Sequence, residues 1–382
     1  MTGVLVVGAG PSGLVTACEL LRRGVTVRLV DAAPRPAPYS KALLLWPPTL
    51  RVLAGLGVRA TVERAALPIR AFRYFSGGRP LAALPFPDSL APLCLPQRET
   101  ERILTDRLHQ LGGAVERGVR LTTVDGTGAA TLALPDGRLE HIHPQWVVGA
   151  DGASSTVRKR LGLRLAGSTH EESYLVVDAT ATGPLPDGEA HYHQSPRGAL
   201  VVVALPGGRY RFFANAGPGQ TMDRILAERG PAGIRLGPVE WASTFRVHRR
   251  ICTRFQHGRV FLVGDAAHVH SPAGGQGLNT GVQDAHHLAT AMAAVAHGRA
   301  GEELLGSYTR WRKPVVRRVV READLQNRLW LLRCPAAVTA RDVAVRLADR
   351  AGLLRRYARV LANRSAGSKT NRPAGSAGRH TV

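Results

Sequence analysis

Cysteine is scarce: four in 382 residues, Cys18, Cys94, Cys252 and Cys334, with no close-spaced pair. That excludes a disulfide framework and a thiolate zinc site, and it fits a reducing cytoplasm. Long apolar runs are lacking as well, so nothing is expected to span a bilayer. The first apolar run, Val4 to Val7, is short and enters a Gly-Ala-Gly-Pro turn. It reads as a buried strand and not as the core of a secretory signal. Acidic residues are in deficit, 28 against 51 Lys and Arg, for a formal charge of +23. From Tyr308 to Val382 there are 18 Lys/Arg and 4 Asp/Glu, or +14 from that segment. Nucleic acid or an anionic membrane surface would suit such a charge. No nucleic-acid module and no basic run interleaved with aromatics is present, so no specific nucleic-acid partner is expected. A basic enzyme surface that draws in anionic cofactors and acidic substrates is the simpler reading.

The ordinary apolar content, 44%, predicts a globular chain large enough for two lobes. Val4 to Val7 reads as a strand, Pro11 to Arg23 as a helix ended by Gly24, and Thr26 to Val30 as a second strand closed by Asp31. Further helices are expected over Thr49 to Leu56 and Arg98 to Leu111. Strands joined at Gly77-Gly78 are expected between Ile69 and Leu84, and a small antiparallel sheet between Val119 and Leu134. Trp146 to Val148 reads as a strand. Residues 173–254 read as a β-rich lobe, Val260 to Val263 as a return to a buried strand, and the rest as helical to about Tyr357. The tail from Asn363, rich in Gly, Ser, Arg and Pro, reads as disordered. There is no internal repeat.

Gly8-Ala9-Gly10-Pro11-Ser12-Gly13 fits G-x-G-x-x-G between a strand and a helix. Gly8 would permit the tight turn, Gly10 the approach of a pyrophosphate, and Gly13 close helix–strand packing. The helix N-terminus, with Pro11 and Ser12, offers free N–H groups to phosphate. Asp31 can accept from an adenosine ribose, and its charge disfavours a 2′-phosphate there. This motif by itself does not separate FAD from NAD.

Two further motifs do. Val148-Gly149-Ala150-Asp151-Gly152-Ala153-Ser154-Ser155-Thr156-Val157-Arg158 resembles the Asp-Gly motif of flavoprotein monooxygenases related to para-hydroxybenzoate hydroxylase. Gly258 to His268 (GRVFLVGDAAH) resembles their Gly-Asp motif and continues through Pro272-Ala273-Gly274-Gly275-Gln276-Gly277-Leu278-Asn279 to Gln283-Asp284-Ala285. The likeness runs from the N-terminus to roughly residue 335. It implies an α/β fold: a Rossmann-like FAD-binding domain interleaved with a β-sheet-rich substrate domain and followed by C-terminal helices. The expected boundaries are 1–172 and 255–335 for the FAD-binding parts, 173–254 for the substrate domain, 336–362 for a helical segment and 363–382 for a disordered basic tail.

The resemblance also implies a site. Asp265 would bind ribityl hydroxyls, and Gly275, Gly277, Leu278 and Asn279 would lie against the flavin. Gln97 would contact it, and Asp151 and Arg158 would serve the FAD pyrophosphate and NAD(P)H. Pro272 would place a backbone carbonyl beside a flavin C4a-hydroperoxide. Relatives often carry an arginine that contacts the flavin and follows its movement where this chain has Lys41; by position Lys41 would take that cofactor contact and a catalytic part, keeping the charge but losing the planar fork. No phenol-activating base is nameable, and no metal is expected: His268-x-His270 reads as a family position. His191 and His193 would share one strand face and Tyr192 the other. The expected activity is hydroxylation of a phenolic or polycyclic aromatic small molecule with FAD, NAD(P)H and O₂. A reductase or dehydrogenase acting on an isoprenoid or other apolar molecule is the alternative. The oligomeric state stays open.

Overall fold

The computed structural model describes residues 3–39 and 42–366. The parallel sheet expected from the first βαβ unit is six-stranded. Its order is Gln256–His257, Val260–Leu262, Trp146–Gly149, Val4–Val7, Val27–Asp31, Val115–Arg117. All neighbours are parallel except the first pair. Val4 to Val7 is wholly buried because helices cover both faces of such a sheet. The helix Pro11–Leu21 packs on the twenty-residue helix Gly277–Ala296.

The second large sheet has eight strands, in the order His268–Val269, Arg235–Cys252, Leu165–Thr182, Arg209–Ala216, Gly198–Leu205, Glu189–Ser195, Ala71–Ser76, Arg79–Pro85. Its membership differs from the expected 173–254. It begins at Leu165, and it recruits the hairpin at 71–85 from the first part of the chain. Ala71–Ser76 adds parallel to Glu189–Ser195, which covers an otherwise open edge. Gly198–Leu205 is buried at every position because both faces are covered. Leu200 and Val202 pack with Phe212, Ile225 and Leu226 on one side. Val201 and Val203 face the other way, toward Tyr192 and Trp330. The two faces follow from the two-residue period of a strand.

Helices Tyr308–Trp330, Pro335–Arg350 and Leu353–Asn363 close the fold. Disorder is expected from residue 363, yet Asn363 closes the helix Leu353–Asn363. Arg364 and Ser365 are buried in a 3₁₀ turn, because that turn packs on the long helices instead of facing water. Residues beyond 366 lie outside the described residues.

One buried network ties these parts together. The Asp284 carboxylate, fully buried on Gly277–Ala296, accepts from Arg312 Nε at 2.7 Å and from Gly264 N at 3.2 Å, and meets His268 Nε2 at 2.6 Å. Burial pushes the Asp284 carboxyl up, but Arg312 and then His268 outweigh it and hold the group below the usual range. Arg312 is itself 1% exposed. Removing one partner of such a pair strands a buried charge, so Arg312→Leu should lose about 3–5 kcal/mol in a denaturant titration; a loss well under ~1 kcal/mol would contradict the network's importance. A depressed carboxylate contributes stability that is present above its unfolded pKa of about 4 and is lost as pH falls through the folded value. The stability gap between parent and Asp284→Asn should therefore hold steady from neutral pH to about pH 4 and close below it; a gap that instead closes on the alkaline side would contradict this assignment.

Candidate cofactor and substrate site

Because the strands are parallel, the three motif loops leave the same edge of the sheet. Val7 is level with Gly149, and Gly149 with Leu262. Ala150 N donates to Val7 O at 2.8 Å and Val263 N to Gly149 O at 3.0 Å. Gly8-to-Gly13, Ala150-to-Ser155 and Gly264-Asp265 therefore meet at the carboxyl edge, where open α/β sheets bind ligands.

The three glycines of the first turn differ in role. Gly8 has φ +102°, and a Cβ there would lie 2.5 Å from Ala150 O. A Cβ on Gly13 would lie 1.8 Å from Gly8 O. Gly10 has nothing within 4 Å of its Cβ position and an ordinary φ of −75°. So Gly8 and Gly13 serve close packing, and Gly10 faces open space at the helix N-terminus.

Two cavities share that space. One, about 590 Å³, runs from Gly10, Pro11 and Ser12 past Gln97 and Asp265 to the inner face of the eight-stranded sheet. The other, about 400 Å³, includes Gly8, Asp31 and Asp151. Gly10, Ala150 and Gly152 line both. The result is one long trough that bends over the glycine turn, which suits a dinucleotide with its pyrophosphate at Gly10.

At the smaller end, Asp31 accepts from Ala9 N at 2.7 Å and Ala33 N at 2.8 Å. Asp151 Oδ2 caps the short helix Thr156–Arg160 by accepting from Thr156 N and Val157 N. Its Oδ1 is buried without a partner, an acceptor that a ligand hydroxyl would satisfy.

At the larger end, Pro272, Gly275, Gly277 and Leu278 line the cavity together with Asp265 and Gln97. Gln97 opens the helix Gln97–Gln110 and donates to Glu101 at 2.7 Å. Gly277 begins the long helix, so its free N–H groups and positive end face the cavity. Pro272 O accepts from Gly275 N at 2.9 Å in the 3₁₀ turn, which uses one of its two lone pairs and fixes its direction. His270 also lines this end. Burial holds its ring down at about 4, so it is neutral at ordinary pH, and Nδ1–H donates to Ser271 O.

Three expected site residues stand elsewhere. Gly13 faces packing, not the trough. Arg158 is buried behind the loops, donating to Ala266 O at 2.9 Å and Ala153 O at 2.8 Å. It braces the Asp-Gly loop against the Gly-Asp loop and lines neither cavity. Asn279 is fully buried: Oδ1 accepts from Trp46 N, and Nδ2 donates to Leu44 O and Gly275 O. It is a strut between the strand Leu44–Leu45 and the glycine loop. Lys41 lies outside the described residues.

The sequence reading assigns the substrate to the β-rich domain but names none of the far-wall residues Val176, Val203, Arg211, Phe213, Phe245 and Trp330. Alternation along Gly198–Leu205 and Arg209–Ala216 was the available signal. Arg211 is held by Asp178 through two bonds of 2.6 Å. Tyr192, on the strand face opposite His191 and His193, meets the cavity. The two histidines pack against Phe75. Among the described residues no group of three or more His, Cys, Asp or Glu could hold a metal ion.

The open Gly10 cradle, the unpartnered Asp151 Oδ1 and the long bent trough all fit FAD. Residues 1–323 match the FAD binding domain family. The chain is 38% identical over 365 residues to the 6-methylpretetramide 4-monooxygenase of Streptomyces rimosus, covering 90% of this chain and 64% of that protein. It therefore spans less than two thirds of that relative's length. The p-nitrophenol 4-monooxygenase of Pseudomonas putida DLL-E4 superposes with a TM-score of 0.88 at 26% identity, covering 97% of this chain and 99% of that one. A ternary complex of aklavinone-11 hydroxylase with FAD and aklavinone superposes with a TM-score of 0.73 at 30% identity, over 84% and 68% of the two chains. The chain belongs to the family of FAD-dependent aromatic hydroxylases.

The glycines give a paired test. Gly10→Val should fold with unchanged stability yet lose FAD, because only the open space is filled. Gly13→Ala should cost about 3 kcal/mol of stability, because backbone must move. Thermal melts and flavin absorbance of the two purified variants separate these outcomes; a Gly10→Val protein that stays fully yellow would contradict the assignment of the trough.

Proposed function

We propose that this chain is a monooxygenase that uses FAD, NAD(P)H and O₂ to hydroxylate a phenolic or polycyclic aromatic small molecule. The balance is substrate, O₂, NAD(P)H and a proton giving hydroxylated substrate, NAD(P)⁺ and water. The observation that carries this reading is the continuity of the larger cavity: the Asp265 and Pro272–Leu278 loops and the apolar sheet face line one space. A flavin ring on the loops would face a substrate on the sheet without intervening protein.

Bound there, FAD supplies the redox chemistry, accepting hydride and activating O₂. The chain supplies the setting. The N-terminus of Gly277–Ala296 favours negative charge beside it. Val176, Val203, Phe213 and Phe245 exclude water and offer flat apolar contact to an aromatic substrate. Neutral His270 presents no buried charge to be desolvated. The names of the relatives support aromatic acceptors, and favour hydroxylation over saturation of an isoprenoid. The reducing environment suggested by four free cysteines, three of them buried, suits a cytoplasmic enzyme.

The test is oxygen uptake by the FAD-loaded protein with NADH or NADPH, with and without phenols and polycyclic aromatics, with ¹⁸O₂ tracked into product by mass. A substrate-stimulated rate and a product heavier by one labelled oxygen are expected. Anaerobic turnover of an apolar substrate, with no oxygen gained, would instead establish the reductase.

A further inference from the structure

The loop from Pro272 to Gln276 shows one face to the cavity and rests the other on the last described turn of the chain. Gly274 has φ +75°, and its back is closed: a Cβ there would meet Gln326 Oε1 at 3.3 Å, Leu361 Cδ1 at 3.4 Å and Arg364 Nη1 at 3.7 Å. Gln276 Nε2 donates to Leu361 O at 3.2 Å. The turn Arg364–Ala366 thus lies directly behind the backbone that lines the cavity.

Arg364 is buried, its side chain 1% exposed. Its Nε lies 2.6 Å from Glu322 Oε2, an ion pair without hydrogen-bond geometry, and its Nη2 donates to Tyr357 Oη at 2.8 Å. Nη1, the nitrogen nearest Gly274, has no partner. Glu322 is shared with Arg318 at 2.8 Å, so the one carboxylate serves two cations. A buried guanidinium carries a desolvation cost of several kcal/mol that its partners must offset.

The same place gathers other sealed polar atoms. His270 Nε2, Gln276 Oε1, Gln326 Oε1 and Ser365 Oγ are buried without partners. The field of Arg364 reaches His270, where it adds to the forces that keep the ring neutral. Folded proteins rarely strand this many donors and acceptors together; ordered water is their usual partner.

We propose that Arg364 is a positioning residue of the cofactor site: acting through this hydrated cluster, it fixes the Pro272-to-Gln276 loop from behind and holds positive potential there. The inference rests on the FAD reading of the trough. A positive charge behind the loop favours the more negative, reduced form of a bound flavin over the oxidised form. A purely structural role would not bias the two forms.

The experiment uses the purified full chain, stripped of flavin and titrated with FAD, followed by equilibrium reduction against a reference dye. Arg364→Met keeps the stem and removes the charge. By loosening the loop it should weaken FAD binding about tenfold and shift the midpoint potential negative. Arg364→Lys should restore the potential with only part of the affinity. Gln326→Leu should lower affinity and leave the potential in place. If Arg364→Met does not fold, the lysine and Gln326 variants carry the test; both at parent affinity overturn the proposal. Arg364→Met folded, with affinity within about twofold of parent and an unmoved potential, also overturns it. A parent chain that takes up no FAD overturns the cofactor reading as well, so the two failures are distinguishable.

Discussion

The Asp284 carboxylate is the point on which the site depends. It sits fully buried on the helix whose N-terminus faces the cavity, and it reaches three other elements at once. Gly264 N sets the entry to the Gly-Asp loop, His268 sets the strand that joins the eight-stranded sheet, and Arg312 sets the long helix behind. An isolated carboxylate would neutralise itself in such surroundings. Arg312 and His268 keep it charged, and the charge gives each hydrogen bond roughly twice the strength of a neutral one. The loop carrying Asp265 is thereby held between the two large sheets.

Given that joint, division of labour follows. The parallel sheet brings three loops to one edge, and the glycine turn leaves space for a pyrophosphate. The eight-stranded sheet turns one apolar face to the same space, with its other face occupied by the helix Met222–Arg229. Arg158 and Asn279 are the braces between loops, and their hydrogen-bonding capacity is spent on backbone. The cavity is therefore preorganised by buried polar struts and walled by apolar side chains, an arrangement that favours a precise ring position and excludes water.

Much of this was legible in the sequence because it is local. A strand, a glycine turn and a helix are written within about thirty residues, as the Val4-to-Asp31 segment shows. The motifs at Asp151 and Asp265 fall at strand ends, so their placement at the carboxyl edge follows from parallel pairing alone. What stayed hidden is long-range. Arg312 has no signal that ties it to Asp284, 28 residues away. The hairpin at 71–85 reads as strands, yet nothing local says that it pairs with 189–195. Arg158 and Asn279 were assigned to the cofactor by motif position, and motif position does not report which way a side chain turns. The composition from residue 363 onward suggests disorder, and nothing local announces that Arg364 and Ser365 are buried.

The most direct measurement is a crystal structure of the FAD-loaded protein. The pyrophosphate is expected over Gly10, the adenosine beside Asp31 and Asp151, and the flavin ring on the loop from Pro272 to Leu278 with its open face toward Val203 and Phe213. A ring lying outside that cavity, or protein side chains filling the space between ring and sheet, would contradict it.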